Sequence, residues 1–244
     1  MEYQYTYLLL GAFFVAGWFF LYIRRKDERR ELLMLSSMFA VFGVASDFLY
    51  IQDWWTPLSV LGTPPFTGES LITAFGIVGV GAVLPEYLLR LKDTSCGRVF
   101  THREVRVLCI SVFTMAILFY GSFYLLGVNS LVATILALAI PTAFMWGSRP
   151  DLISTAFING LALVVFTVVI YTAVEFITPG WVNAFFLFKN TPHIILLNVP
   201  IDDVVFYFCA GLFFGTFYEW WQGIKRVPLR NKSKKIRPVF LSCK

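Results

Sequence analysis

The chain has 244 residues, 58% of them hydrophobic and only 14% charged, with 26 Phe and a mean hydropathy of +0.71. That balance excludes an ordinary soluble domain and implies a polytopic membrane protein. The formal charge of +5 reflects membrane orientation and a basic tail suited to anionic lipid, so the expected partner is the bilayer and no nucleic acid.

A helix needs about 20 apolar residues to cross the hydrocarbon layer. Seven stretches qualify, near 5–23, 32–51, 69–90, 105–127, 128–146, 152–177 and 201–222. The first is preceded by Met1-Glu2-Tyr3-Gln4, without the positive charge of a cleavable signal, and is expected to remain as a helix. Nineteen of the twenty Lys and Arg fall in alternate loops and the tail, with Lys189 alone on the other side. The positive-inside rule then predicts an external N-terminus and a cytoplasmic C-terminus, in a multi-pass protein of the cell membrane. Cys96, Cys109, Cys209 and Cys243 lie in membrane, cytoplasmic loops or tail, so no external disulfide is expected.

Taken in order, the first span is apolar on all sides. The second carries Asp47 near its outer end, followed by Phe48, Tyr50, Asp53, Trp54 and Trp55. Thr56–Gly68 contains Pro57, Gly62, Pro64 and Pro65, cannot be regular helix, and leads into Glu69. The third span offers Gly76, Gly79, Gly81 and Ala82 for close helix approach. The fourth has no acid within its apolar core. The fifth contains Pro141, and the sixth ends in Glu175-Phe176-Ile177 before Thr178-Pro179-Gly180-Trp181. Val182–Val199 is apolar but broken by Lys189-Asn190-Thr191-Pro192-His193, the composition of a re-entrant or surface-lying lid. The seventh span starts at Pro200-Ile201-Asp202-Asp203 and ends at Tyr218-Glu219-Trp220.

One pattern occurs twice: an acid at a helix end, an aromatic loop with proline, then a helix with acids at both ends. Glu69 to Glu86 and Asp202 to Glu219 are both 17 positions, about 25 Å of helix. The expected fold is therefore an all-α integral membrane protein of seven transmembrane helices, a parallel 3+1+3 internal repeat. Residues 1–90 form the first three-helix repeat, 105–127 a linker helix, 128–222 the second repeat and 223–244 a basic cytoplasmic tail.

On that topology Asp47, Glu69, Glu175, Asp202 and Asp203 share the outer layer, with only Lys189 to neutralise them. Carboxyls crowded in low dielectric do not all ionise, and one that keeps its proton is a general acid. The aromatics Phe48, Trp54, Trp55, Trp181, Phe206 and Tyr207 supply π faces for a carbocation, so the set suits protonation of an alkene. The simpler account is capping: Glu69, Asp202 and Asp203 stand at helix starts, where a carboxylate complements the dipole. Asp47 and Glu175 stand at helix ends, where capping does not explain them. Two His in different compartments and no aspartate-rich diphosphate motif give no metal site, and no cofactor is expected.

The run Val199-Pro200-Ile201-Asp202-Asp203-Val204-Val205-Phe206-Tyr207-Phe208, after Glu175 and Trp181, resembles the Pro-x-Glu-Glu-x-x-Phe-Phe signature of the lycopene cyclase domain family. In that family the unit is three helices, found as separate subunits or fused in tandem, and this chain looks like the fused form. The resemblance implies an isomerase that closes rings at the ends of a carotenoid or isoprenoid by protonation, without redox change. It also implies association with other enzymes of the carotenoid pathway. Asp202 or Asp203 would donate the proton with Glu175 as partner, and Asp47 and Glu69 would be the corresponding set. In the first half, Pro65-Phe66-Thr67-Gly68-Glu69-Ser70 has one acid where the signature has two. The alternatives are a small-solute transporter of parallel halves and a non-catalytic carotenoid- or lipid-binding relative.

Overall fold

The computed structural model describes residues 3–93, 102–224 and 226–228. Cys96, Arg98, Lys225, Cys243 and the basic tail beyond Pro228 lie outside the described residues.

Among the described residues, seven helices are long and apolar enough to cross a membrane, each at a stretch the hydropathy selects. They are α1 (Thr6–Arg24), α2 (Arg29–Asp53), α3 (Gly68–Leu89), α4 (His102–Leu126), α5 (Ser130–Ser148), α6 (Ile153–Ile177) and, after the single-turn α7 (Trp181–Phe185), α8 (Ile201–Gln222). Two-residue antiparallel hairpins lead into two of them. Strands β1 (Gly62–Thr63) and β2 (Phe66–Thr67) precede α3, while β4 (Ile195–Leu196) and β5 (Val199–Pro200) precede α8. Strand β3 (Leu91–Asp93), just after α3, pairs with β6 (Arg226–Pro228), just after α8.

Local chemistry sets the helix ends. The Thr67 side chain caps α3 by accepting from Ser70 N at 3.1 Å, and Asn129 Oδ1 caps α5 by accepting from Val132 N at 2.9 Å. Helices α3 and α8 end on left-handed residues, Arg90 (φ 52°) and Gly223 (φ 64°). Helix α5 runs through Pro141 unbroken.

Helices α3 and α8 are the centre of the bundle, with 67% of each span buried against 11% for α4. Helix α3 packs on α1 and α2, α8 packs on α5 and α6, and the two central helices meet each other. A Cβ at Gly211 would lie 2.7 Å from Gly160 Cα, so only glycine lets α8 approach α6 this closely.

A polar rivet holds this junction. Pro85, inside α3, has no N–H to bond the carbonyl four residues earlier, which belongs to Gly81. The fully buried Asn159 of α6 supplies the missing donor: its Nδ2 donates to Gly81 O and, at 2.7 Å, to Gly211 O of α8. One side chain thereby ties α6 to both central helices.

Hydrogen bonds also mark the two ends of the bundle. At one, Tyr3 Oη donates to Pro179 O (3.0 Å) and the loop after α2 pairs with the loop after α7, Thr56 N to Phe185 O (2.7 Å) and Leu187 N to Trp54 O (2.8 Å). At the other, Arg25 donates to Leu91 O (2.7 Å), Trp220 Nε1 to Ser148 Oγ (2.7 Å) and Trp221 Nε1 to Glu104 O (2.8 Å).

Asn159→Ala is expected to lower stability in detergent by about 1–3 kcal/mol, because the Gly81 carbonyl then lies buried without a donor. In a Pro85→Ala background, which restores the backbone N–H, the same change should cost clearly less. The two costs, read from thermal unfolding, should differ by more than about 0.5 kcal/mol.

Candidate functional site

Near the hairpin end of the bundle, α1, α2, α3, α4, α5, α6 and α8 surround one cavity of about 190 Å³. Its wall is mainly aromatic and aliphatic, and none of the residues lining it is basic. Trp54 is the hub of the aromatic part, with edge-on contacts to Tyr50 (centroids 4.7 Å apart) and Phe206 (5.4 Å). Phe119, from the little-buried α4, adds a ring 5.8 Å from Tyr50. Phe186, in the loop after α7, comes down onto the same space through its bridge to Trp55. The apolar stretch after Trp181 is in this sense a cover.

Two carboxyls face the cavity. Asp47, buried on α2, accepts a hydrogen bond from Ser70 Oγ of α3. Ser70 is fixed in turn by the cap that starts α3, by a 2.6 Å contact with Thr67 Oγ1, and by Tyr7 Oη, which donates to it at 2.9 Å. On the other side Asp203, in the first turn of α8, accepts from Tyr171 Oη of α6. Tyr171 is locked between Trp181 (centroids 4.9 Å apart) and Tyr207 (6.2 Å).

The two pairs occupy matching places. Asp47 and Tyr171 each stand six residues before the end of a 25-residue helix, and Ser70 and Asp203 are each third in a 22-residue helix. Counted this way Asp47 matches Tyr171, while Glu175 stands two residues from the end of α6. Acid and hydroxyl are exchanged between the two places.

The other acids at the hairpin end of the bundle hold loops. Glu69 accepts from Ser59 Oγ (2.7 Å), Val60 N (2.8 Å) and Leu61 N (3.0 Å), which fixes the segment before β1. Asp202 accepts from Thr191 Oγ1 at 3.1 Å and ties down the cover. Glu175 accepts from Gly180 N at 2.7 Å, closing the turn into α7 at a left-handed glycine (φ 83°). Asp53 accepts from Ser130 N at 2.9 Å and joins the end of α2 to the start of α5.

Of the residues singled out from sequence, Asp47, Asp203, Trp54, Trp55, Phe206 and Tyr207 line the cavity. Glu69, Glu175 and Asp202 do not. Trp181 is fully buried behind Tyr171, and Phe48 lies outside, 39% exposed and packed on Phe66. Tyr7, Ser70 and Tyr171 were not among the sequence candidates. A signal existed for Tyr171, which lies one helical turn before Glu175 and so deeper on the same helix. Ser70 stands where the signature's second acid would be.

No curated protein and no solved structure matches the chain. A sequence model of one family does match, over residues 128–221, and its description is Lycopene cyclase. Tyr171 and Asp203 both fall within that segment, which is similar to the family over those residues.

Proposed function

We propose that the protein is a non-redox cyclase that closes a ring at the end of a carotenoid or related polyene, with Asp203 as proton donor and Asp47 as proton acceptor. The observation that carries this reading is the meeting of two carboxyls in one apolar, aromatic-walled cavity, one of them inside the matched segment.

In the proposed reaction the Asp203 O–H breaks as a C–H bond forms on the terminal alkene. The next double bond of the polyene attacks the resulting cation and makes the ring C–C bond. The Asp47 carboxylate then removes a neighbouring proton, which leaves a ring alkene and an unchanged molecular formula. The faces of Trp54, Phe206 and Phe119 stabilise the positive charge between these steps. Tyr171 and Ser70 orient the two carboxyls. A cavity of about 190 Å³ is smaller than the roughly 300–1,000 Å³ pockets that hold whole drug-sized ligands, which suits one end of a long chain at a time.

The same reading includes a duplicated architecture. Helix lengths of 19, 25 and 22 residues recur in α1, α2, α3 and in α5, α6, α8, and a hairpin leads into each third helix. These matches support a parallel 3+1+3 repeat with α4 as linker. With basic loops inside, the cavity then lies in the outer leaflet of the cell membrane.

Expression of the chain in cells that accumulate lycopene, followed by pigment analysis, tests the proposal. The wild type should give a cyclised isomer of unchanged mass. Asp203→Asn and Asp47→Asn should lower its formation by about 10²–10⁴-fold, the usual contribution of a general acid or base. Glu175→Gln and Glu69→Gln, which alter loop contacts, should retain most of it. A wild type that leaves both lycopene and shorter polyprenoids unchanged would sink the reading.

Filling the cavity gives an independent check. Ala116→Phe, on the α4 wall, should abolish product while the unfolding temperature in detergent stays close to wild type, since the added ring takes the substrate's place.

A further inference from the structure

A polyene longer than its cavity leaves most of itself outside, and the packing around the cavity decides on which side. Toward the hairpin end the cover closes it: Leu187 N donates to Trp54 O (2.8 Å), Lys189 Nζ to Gln52 O (3.1 Å) and Thr191 Oγ1 to Asp202 (3.1 Å). The cover is thus tied to the end of α2 and the start of α8. Toward the other end Phe39 of α2 stands edge-on to Phe213, Phe214 and Phe217 of α8, with centroids 5.9, 5.1 and 5.6 Å apart, and makes a floor. Between α2 and α3 there is no room for a methyl group, since a Cβ at Gly43 would lie 2.2 Å from Ala74 Cβ.

The seam between α2 and α4 is looser. Helix α4 packs on α5 and has little contact with α2. Where the two meet, Tyr120 Oη donates to Ala45 O at 2.6 Å and Phe119 stands edge-on to Tyr50. The lining residues from α1, α5 and α6 are all buried, whereas Phe42 and Ala45 of α2 and Met115, Ala116 and Tyr120 of α4 line the same space and are half-buried. Just beyond them, Val41 lies one turn before Ala45, and Ile117 and Phe113 lie one and two turns before Tyr120. These three are apolar, 62%, 54% and 68% exposed, and do not line the cavity. Half-buried lining within and an apolar rim without make a mouth that faces lipid.

We propose that the polyene reaches the cavity through the seam between α2 and α4, and that only its reacting end goes in while the remaining chain stays in the bilayer against Val41, Phe113 and Ile117. The inference rests on the cyclase reading and narrows its substrate class to a long hydrocarbon carried by the membrane. The rim has no hydrogen-bonding side chain to register the length or the far end of that chain. Selectivity then belongs to the reacting end, and the two ends of a symmetric polyene are closed in separate visits. Val41, Phe113 and Ile117 are positioning residues, distinct from the acids that touch the reacting carbons.

Two measurements on the full chain in membranes test the portal. In the first, polyenes share the reacting end of lycopene and differ at the other, which is left unchanged, shortened, or joined to a bulky apolar aromatic group. Across this set kcat/KM is expected to stay within about 3-fold, where a closed pocket around the far end would discriminate by about 10-fold or more. A loss of that size with the bulky group overturns the portal. In the second, Val41→Trp combined with Ile117→Trp narrows the rim. It is expected to raise KM and lower kcat/KM for lycopene by about 10-fold, with kcat and the unfolding temperature near wild type. Val165→Trp combined with Val169→Trp adds the same bulk to α6 at positions 64% exposed, and is expected to change neither constant. Equal effects of the two pairs overturn the portal and leave the cyclase reading standing. No cyclised product from the wild type overturns both.

Discussion

A carboxyl group inside an apolar helical bundle has to find its hydrogen-bond donors within the chain, because hydrocarbon offers none and the cost of going without is several kcal/mol. That constraint sorts the acids of this protein. Glu69 has a hydroxyl and two backbone N–H groups, Glu175 the N–H of a tight turn, and Asp202 a threonine of the cover. Donors of this kind fix loops. Asp47 and Asp203 instead take a hydroxyl from a facing helix and turn to a cavity, and those two are the ones proposed to react.

The same need shapes the scaffold. Pro85 interrupts the hydrogen bonds of a central helix, and Asn159 answers it from α6 while also reaching α8. Helices α3 and α8 are thereby fixed relative to α6, and they carry Ser70 and Asp203 at their first turns. The cavity forms where the two central helices begin, under a cover tied down by Asp202 and by the pairing of the loops after α2 and α7. Helix α4 is little buried and still gives Phe119 to the wall, so the proposed linker also encloses the site.

On the proposed duplication, the halves have diverged in a reciprocal way. One keeps the carboxyl on the second helix and a hydroxyl at the start of the third, and the other has them reversed. Two symmetric acids would be two equal donors. Exchange of acid and hydroxyl places the carboxyls on opposite sides of one space, which suits a reaction that needs one group to give a proton and another to take it.

Much of this was legible in the chain itself. Hydropathy placed the seven long helices found among the described residues, since a span of about 20 apolar residues is a property of local composition. The signature around Asp202-Asp203 pointed to the segment 128–221 that the family comparison matches. Asp47 stood out because it sits at the unfavourable end of its helix. What sequence could not decide was which acid faces inward. Asp202 and Asp203 are neighbours, yet a helix turns by about 100° per residue, so one meets a loop and the other a cavity. Glu175 looked as exceptional as Asp47 until the turn at Gly180 gave it a backbone donor. Tyr7, Ser70 and Tyr171 gained meaning only when 63 positions of chain closed between Tyr7 and Ser70, and 32 between Tyr171 and Asp203. Composition and periodicity fixed how many helices there are and where they run; the choice of reacting groups belongs to the tertiary structure, because a hydrogen bond between distant residues is a property of packing.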